Sequence, residues 1–484
     1  MSRSISRFGA LGAFGTTLAV LAGCTSPDLE GTTPEAKPPE AVVSTLPPAP
    51  NVAANPLGAK WTWSRLGSSA AYLRELAGGA TWHEAVWCDI EPRRGHRDWR
   101  AMDSIVRMTR RLGFTMDLKI RVGACWATEG DPSHVRGVKG KTESRQPRDM
   151  DAYIDFVQAA VKRYAPQGVR TFAIENEPNA PVFWDGTLEQ LIDMSRAGER
   201  AVRSADPGAR VASWGMASPV YGVGIVSRLL AQGDDAAALE AYSRYFARRP
   251  SGSFPRVSSA TELRSVVGSE HFVRTLRYLR AEERLLAEGV FDIRQVHYYE
   301  PGENVPALVD YLNATTPEDT PIEFWEVGQY GPGAVSPRPR GVEATKTLSM
   351  LLAGGVHRLI WLPLMADPER GPEQRHGLQA PGGGIRPAGK AFRQLVGWSR
   401  GRSAKPAAIP GLQGVAFAGG SSTTLVVWSD IGRRLELPRN VEVDARDLTG
   451  IPLAWPSSGL RVGSEPVFLR VGAPLPKTRV LLGR

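Results

Sequence analysis

The sequence predicts an α/β protein in which a (β/α)8 (TIM) barrel is followed by a C-terminal β-sandwich. Strand-like and helix-like segments alternate eight times between residues 60 and 398, and short strands divided by Gly, Pro and Asp turns follow residue 404. Eight βα units imply a parallel sheet, and eight is the number at which such a sheet closes into a barrel. A doubly wound open sheet is the alternative, but the sequence lacks the glycine-rich phosphate loop that it needs after an early strand.

The elements of the barrel follow from the apolar pattern and its interruptions. The expected strands are 60–66, 81–88, 116–122, 170–175, 210–214, 293–299, 322–327 and 359–364. The expected helices are 70–76, 99–112, 150–164, 188–204, 272–286, 306–312, 344–352 and 387–398. Helix 99–112 shows the helical spacing of apolar residues, for example at Met102, Ile105 and Val106. Glycines at 113, 289 and 355 stand where a helix-ending glycine precedes the next strand.

The sequence divides into four expected regions: a signal peptide (1–23), a Pro-rich tether (24–58), the barrel (59–403) and the β-sandwich (404–484). Residues 25–58 contain eight prolines and no apolar periodicity, so we expect an extended tether. Residues 220–270 are too many for a simple βα loop and predict a partly helical insertion on the functional face of the barrel. The tail predicts short strands at 415–417, 424–428, 441–443 and 467–471.

Composition and charge are those of an ordinary globular protein. Of 484 residues, 42% are hydrophobic and 23% charged, which excludes a mostly disordered, collagen-like or coiled-coil chain. The net charge is +9, but basic residues are scattered and no run of five like charges occurs, so we expect no nucleic-acid partner. An arginine-rich proteome and an acidic partner both stay open as reasons for the charge.

The N-terminus predicts a lipid-anchored protein. Arg3 and Arg7 form the positively charged n-region of a signal peptide. The apolar residues 8–22 have the length of its hydrophobic h-region and are too few for a transmembrane helix. They end in Leu21-Ala22-Gly23-Cys24, which resembles the bacterial lipobox, whose cysteine is acylated after cleavage. Ser26, rather than an aspartate, stands two residues after the cysteine, which resembles lipoproteins that are sorted to the outer membrane. We therefore expect a protein in the outer membrane that faces the periplasm or the cell surface. A plain signal peptide that happens to contain a cysteine is the alternative.

Two glutamates lie at the expected ends of barrel strands, where chemistry occurs in this fold. Strand four ends in Ile174-Glu175-Asn176-Glu177-Pro178-Asn179, and strand seven ends in Phe324-Trp325-Glu326-Val327-Gly328. Both strands point into the same mouth of the barrel. Two carboxyl groups that face one cleft suit cleavage of a glycosidic bond, in which one is protonated and the other is ionised.

These motifs resemble glycoside hydrolase clan A, most closely family 39 and next family 5. The resemblance covers about residues 60–400. The remaining motifs that carry it are Trp87-Cys88-Asp89-Ile90-Glu91-Pro92 with Gly95 and Asp98-Trp99, His297-Tyr298-Tyr299, Trp361, Gly377-Leu378 and Arg386-Pro387-Ala388. The resemblance implies a retaining glycosidase that acts on a polysaccharide or exopolysaccharide. We expect it to work as a monomer without a cofactor, and no metal motif of proper spacing occurs.

The resemblance assigns Glu177 as the general acid/base and Glu326 as the nucleophile. It also implies that Asn176 binds the sugar 2-hydroxyl, a bond that strengthens as the oxocarbenium ion forms.

Three further side chains are implied beside the reacting sugar. Tyr299, with His297, is expected beside the nucleophile, where a phenol donor keeps a carboxylate ionised. Trp361 is expected to form the floor on which the sugar stacks. On its own, His297 is equally well explained as a structural histidine.

The sequence departs from the family pattern at two positions. Clan members usually carry an arginine late in strand two, and the nearest candidate here is His83. Glu175 stands where an apolar or aromatic residue is common. Two alternative functions stay open: a transglycosylase with the same covalent intermediate, and a non-catalytic glycan-binding lipoprotein. The missing arginine favours the glycan-binding lipoprotein, and the presence of both glutamates argues against it.

Other residues near the mouth leave two interpretations open. Trp126 is a candidate for stacking on sugar, as are Trp184, Trp214 and Tyr330, but each is as readily a packing residue. Cys88 and Cys125 end neighbouring strands, so either a disulfide or two free buried thiols is expected.

Overall fold

A computed structural model describes residues 47–129, 143–331, 336–436 and 441–483. The expected signal peptide, Cys24 and the tether as far as residue 46 lie outside the described residues. Among the described residues, no helix is both long and apolar enough to span a membrane.

Eight parallel strands form the barrel that the sequence predicts. They are β1 (Leu57–Ala59), β2 (Ala80–Val86), β3 (Thr115–Arg121), β4 (Thr171–Ile174), β5 (Arg210–Ala212), β6 (Arg294–Tyr298), β7 (Ile322–Val327) and β8 (Arg358–Trp361). Pairing runs β2-β3-β4-β5 in one half and β1-β8-β7-β6 in the other. Parallel bridges from Ala212 to Ile293 and from Met216 to Val296 join β5 to β6.

Helices return the chain between the strands and cover the outside of the barrel. They are α1 (Leu66–Glu75), α2 (Trp87–Ile90), α3 (Arg100–Leu112), α4 (Met150–Tyr164), α5 (Leu188–Ala205), α6 (Pro219–Ala231), α7 (Asp235–Tyr245), α8 (Ala260–Val267), α9 (Glu270–Ala287), α10 (Val305–Thr315), α11 (Pro337–Ala353) and α12 (Pro387–Ser399). Helices α6, α7 and α8 form the expected insertion after β5. Gly113 ends α3 with φ +83°, the left-handed conformation that favours glycine.

The first strand lies earlier than predicted. We expected residues 60–66, but β1 is Leu57–Ala59, whose first two residues lie in the segment assigned to the tether, and Trp63–Arg65 is a short 3-10 helix. The reason is the closeness of β1 to β2. A Cβ added to Gly58 would lie 1.9 Å from the carbonyl oxygen of Ala80. The absence of a side chain there allows β1 to pack against β2 and complete the barrel.

Strand β3 places a column of charged residues inside the barrel. Asp117, Lys119 and Arg121 alternate with the outward-facing Leu118 and Ile120, as the period of two in a strand requires. At the lower end of the column, Asp117 pairs with Arg358 of β8 at 2.8 Å. The same guanidinium pairs with Glu323 of β7. Burial raises the pKa of Asp117 to about 6, although Arg358 opposes the shift.

The tail is an antiparallel β domain, as predicted. Its strands are β9 (Ser403–Pro406), β10 (Gln413–Gly419), β11 (Ser422–Trp428), β12 (Arg433–Leu435), β13 (Val443–Arg446), β14 (Leu460–Val462) and β15 (Val467–Val471), followed by helix α13 (Leu475–Leu482). The main sheet has the order β13-β15-β11-β10-β9, and β12 pairs with β14. One face of the main sheet packs on the barrel, where Phe468 meets Trp398 at 5.4 Å between ring centroids.

We predict that Arg358→Met lowers the free energy of unfolding by about 3–5 kcal/mol at neutral pH, because it leaves two buried carboxylates without their cation. The loss should be smaller at pH 5, where Asp117 is protonated. Denaturant titration at the two pH values measures both effects. The matched control is Arg393→Met, which removes a half-exposed pair with Glu75 (2.7 Å) and should change stability by about 0–1 kcal/mol. Equal losses in the two variants would contradict the account.

Candidate active site

The chain turns sharply where β4 ends, and this turn presents the first glutamate. Glu175 and Glu177 both have positive φ, +64° and +46°, which is rare for residues other than glycine. Backbone hydrogen bonds stabilise the turn. The Glu175 N–H donates to the Ile120 carbonyl at 2.9 Å, and the Glu177 N–H donates to the Gly215 carbonyl at 3.2 Å. Such backbone conformations persist where the surroundings enforce them, and they concentrate at functional sites.

A β-bulge presents the second glutamate. Strand β7 carries one more residue than its neighbours here, since Phe324 pairs with Val296 but Glu326 pairs with the next residue, His297. The register with β8 shifts at the same place. A bulge changes the direction in which a side chain points. As a result, Trp325 packs in the lumen, and the carboxylate of Glu326 is also held by lumen residues.

Strand β6 supplies a polar partner to each glutamate. Nδ1 of His297 lies 2.7 Å from Oε1 of Glu177. The hydroxyl of Tyr299 donates to Oε2 of Glu326 at 2.9 Å. Both glutamates are almost fully buried, with exposed fractions of 1% for Glu177 and 3% for Glu326. The structure therefore brings together four of the residues that the sequence predicts for the site.

Lys119 of β3 completes the cluster and was not predicted. Its ammonium donates to Oε1 of Glu326 at 2.8 Å and to Oδ1 of Asn176 at 2.6 Å. It also lies 3.7 Å from the centre of the Trp82 ring, a cation–π contact. A fully buried lysine needs a charged partner, and a lysine in the middle of a predicted barrel strand was the available signal.

The two glutamates are close enough for a retaining mechanism. One carboxylate oxygen of each, together with one ring nitrogen of His297, lie within 4.8 Å of one another. Retaining glycosidases separate their carboxyl groups by about 5–5.5 Å, whereas inverting ones leave about 6.5–9.5 Å for a water. The same three ligand atoms suit a cation, and the Lys119 ammonium lies against two of the three side chains.

The surroundings of Glu177 favour its protonated form. Burial raises the pKa of Glu177 well above its usual value, and the neighbouring Glu326 carboxylate raises it further. Burial likewise keeps Tyr299 a neutral phenol by raising its pKa. Burial and the Lys119 charge lower the pKa of His297 well below its usual value, so its ring is neutral. Glu177 is therefore suited to hold a proton beside a carboxylate that accepts hydrogen bonds from Lys119 and Tyr299.

The structure corrects the predicted positions of two side chains. Trp361 does not face the sugar site: its ring packs against Phe392 of α12, because the neighbouring Ile360 and Leu362 are the β8 residues that face the lumen. His83 does not take the place of the missing arginine. It pairs in register with the outward-facing Leu118 and lies near Trp63 and Lys60. Lys119 occupies the position beside Glu326 instead.

The other aromatic candidates, which could either stack on sugar or pack in the core, have different surroundings in the structure. Trp184 and Trp214 are buried packing residues, whose indoles donate to Thr187 and Ser195. Trp126 is only partly buried in the loop after β3, where its indole donates to the Glu91 carbonyl at 2.7 Å. It therefore stays a candidate for contact with a sugar.

Cys88 and Cys125 form a disulfide with their Cα atoms 5.7 Å apart. The bond ties the short helix α2, which follows β2, to the loop that follows β3.

Residues of the insertion help to form a pocket of about 330 Å³. It is lined by Asn179, Ala180, Pro181, Ala217, Pro219, Arg248, Arg249, Pro250, Ser251, Phe254, His271, Thr275 and Tyr330. Asn179 is two residues after Glu177, so the pocket is lined by the chain that directly follows the turn after β4. Arg249 lies 3.9 Å over the Tyr330 ring and pairs with the buried Glu300 and Glu373, each at 2.8 Å. The charges of Arg249 and Glu373 both act on the pKa of Glu177.

Several solved structures share this architecture. A family 39 glycoside hydrolase from Bacteroides cellulosilyticus is 12% identical with a TM-score of 0.58, over 86% of this chain and 81% of its own. A family 39 β-xylosidase from Caulobacter crescentus is 16% identical with a TM-score of 0.54, over 88% and 98%. A family 30 xylanase from Clostridium acetobutylicum is 12% identical with a TM-score of 0.51, over 87% and 97%. No family model and no curated protein matches the sequence. The chain thus has the barrel fold of clan A glycoside hydrolases.

We predict opposite effects on stability for two matched substitutions. Glu326→Gln leaves the Lys119 ammonium buried without its carboxylate and should lower the free energy of unfolding by about 3–5 kcal/mol. Glu177→Gln removes a buried acid that resists ionisation and should raise it by about 0.5–2 kcal/mol. Denaturant titration of both variants measures the difference.

The gain from Glu177→Gln should also depend on pH. Because the native pKa of Glu177 lies above its unfolded value of about 4.3, the wild type loses stability as pH rises between these two values. The advantage of the variant should therefore be absent below about pH 4 and grow towards neutral pH. A Glu177→Gln variant that is as destabilised as Glu326→Gln would contradict the assigned environments.

Proposed function

We propose that the protein is a retaining glycoside hydrolase that uses Glu177 as its acid/base and Glu326 as its nucleophile. The observation that carries the proposal is a pair of buried carboxyl groups whose nearest oxygens are within 4.8 Å. One of them resists ionisation, and the other accepts hydrogen bonds from an ammonium and a phenol. The shared fold supports the proposal, because the similar structures include a β-xylosidase and a xylanase.

In the first step, Glu177 protonates the glycosidic oxygen while the Glu326 carboxylate attacks the anomeric carbon. The bond to the leaving group breaks, and an ester between the sugar and Glu326 forms through an oxocarbenium-like transition state. Oε2 of Glu177 has no hydrogen-bond partner among the described residues, so an acid proton on this atom has no described acceptor that competes with the glycosidic oxygen.

In the second step, the ionised Glu177 removes a proton from water, which attacks the anomeric carbon and releases Glu326. The pocket is lined by Asn179, two residues after Glu177, and we assign it to the group that leaves and to the acceptor that arrives. A sugar hydroxyl in place of water would make the protein a transglycosylase, and the products distinguish the two reactions.

The proposed substrate is a polysaccharide or exopolysaccharide at the cell envelope. The lipobox at Cys24 supports a protein anchored in the outer membrane, and the Cys88–Cys125 disulfide is compatible with an oxidising compartment outside the cytoplasm.

We predict that the two glutamates separate kinetically on aryl glycosides, with β-xylosides included in the panel. Glu326→Ala should abolish turnover of every substrate, because the covalent step is lost. Glu177→Ala should still react with substrates whose leaving groups need no protonation, and azide should restore turnover by replacing the missing base-activated water. Initial rates and the configuration of the glycosyl azide product provide the measurement.

Glu175→Gln serves as the control, since Glu175 is a neighbouring buried carboxyl that pairs with Arg121 rather than with the glutamates. It should not show azide rescue. Equal losses in Glu177→Ala on activated and natural substrates, without rescue by azide, would contradict the assignment. Retained binding of a glycan without turnover by the wild type would favour a non-catalytic glycan-binding lipoprotein.

We predict that Cys24→Ala prevents lipid attachment. The variant should appear in the soluble fraction or stay as an uncleaved precursor, whereas Thr25→Ala, which keeps the lipobox, should behave as the wild type. Membrane fractionation and intact mass of the full chain measure this. A cleaved Cys24→Ala protein that stays with the membranes would contradict the anchor.

A further inference from the structure

The ammonium of Lys119 faces three acceptors. Besides Asn176 Oδ1 and Glu326 Oε1, it lies 3.2 Å from Nε2 of His297. A lysine ammonium has three N–H donors and no acceptor, so the three contacts use every donor of Lys119. The atom Nε2 of His297 must then offer its lone pair to the ammonium and cannot carry a proton.

This contact determines the proton position on His297. The ring is neutral, because burial and the Lys119 charge lower its pKa. A neutral imidazole has one N–H, and with Nε2 unprotonated the proton lies on Nδ1. Nδ1 is 2.7 Å from Oε1 of Glu177, so the histidine donates this hydrogen bond and the carboxyl accepts it.

The acceptor role of Oε1 in turn determines where Glu177 holds its own proton. When Glu177 is protonated, Oε1 is already occupied as an acceptor of the His297 N–H. The acid proton therefore resides on Oε2, which is buried and has no hydrogen-bond partner among the described residues. That oxygen is free to donate to a glycosidic oxygen.

We propose that Lys119 is a positioning residue that fixes the tautomer of His297 and thereby directs the acid proton of Glu177 to Oε2. The tautomer is a property of the resting protein, and only its effect on catalysis rests on the proposed function.

If Lys119 is replaced, the tautomer of His297 with its proton on Nε2 has a hydrogen-bond acceptor within reach. Nε2 of His297 is 3.5 Å from Oε1 of Glu326, so an Nε2–H would donate to that carboxylate. Nδ1 would then accept, and the proton of Glu177 would turn towards His297 on Oε1, away from the substrate. The ammonium prevents this by being the closer neighbour of Nε2.

The direct test is nitrogen NMR of the protein with 15N-labelled histidine rings. The chain has seven histidines, and the signal of His297 is identified by its loss in His297→Gln. In the wild type, Nε2 should show the shift of an unprotonated ring nitrogen and Nδ1 that of a protonated one. Lys119→Met should shift the ring towards the Nε2–H form, and Lys119→Arg, which keeps a donor, should retain the wild-type tautomer.

The matched control is Lys60→Met, which removes another buried lysine near the Trp82 ring (4.5 Å) and should leave the His297 signals unchanged. An Nε2–H tautomer or an imidazolium in the wild type would overturn the proposal without any variant. An unchanged tautomer in folded Lys119→Met would overturn it as well. Because no turnover is measured, these results are independent of whether the protein hydrolyses glycosides.

A kinetic comparison then isolates the effect on the acid. General acid catalysis contributes about 10²–10⁴-fold, and it matters most for leaving groups that need a proton. Lys119→Met should slow an alkyl glycoside at least about tenfold more than an activated aryl glycoside, as part of that contribution. Equal slowing of the two substrates would show that Lys119 acts only through Glu326, and would contradict the proposal.

Discussion

A cation buried inside the barrel determines the arrangement of the site. The Lys119 ammonium is fully buried, and an uncompensated charge in such surroundings costs several kcal/mol. Its contacts with Glu326, Asn176 and His297 compensate this cost, and they also fix the positions of those three side chains. The bulge in β7 and the turn after β4 are the backbone features that bring the partners within reach.

The same cation makes two chemically identical side chains different. Glu326 accepts hydrogen bonds directly from the Lys119 ammonium and from the Tyr299 hydroxyl. Burial and then the negative charge of Glu326 raise the pKa of Glu177, and the side-chain partner of Glu177 among the described residues is a neutral histidine, so its protonated form is favoured. The proposed division into an acid and a nucleophile thus rests on which glutamate contacts the lysine. The column of charged residues on β3 continues below Lys119, where Asp117 forms an ion pair with Arg358.

Much of the fold was predictable because it depends on local signals. Apolar periodicity and helix-ending glycines locate most of the helices and strands, and the strand-end rule identifies both glutamates. The predicted position of β1 was wrong, because a strand of three residues is too short to show a recognisable pattern of apolar residues. The prediction that Trp361 forms the floor of the sugar site was wrong, because the sequence of a strand that is buried on both faces does not reveal which residues face the lumen. Lys119 was missed because its partners lie on β4, β6 and β7, and their register across the barrel is a property of the closed structure.

We propose that Glu177 and Glu326 act in turn through a covalent intermediate, and the configuration of the first sugar released tests this proposal. Proton NMR of the hydrolysis of an aryl glycoside, recorded from the first minutes, distinguishes the two anomers before they equilibrate. The account predicts that the first product keeps the anomeric configuration of the substrate, because two displacements occur at the same carbon. A first product of inverted configuration would contradict it.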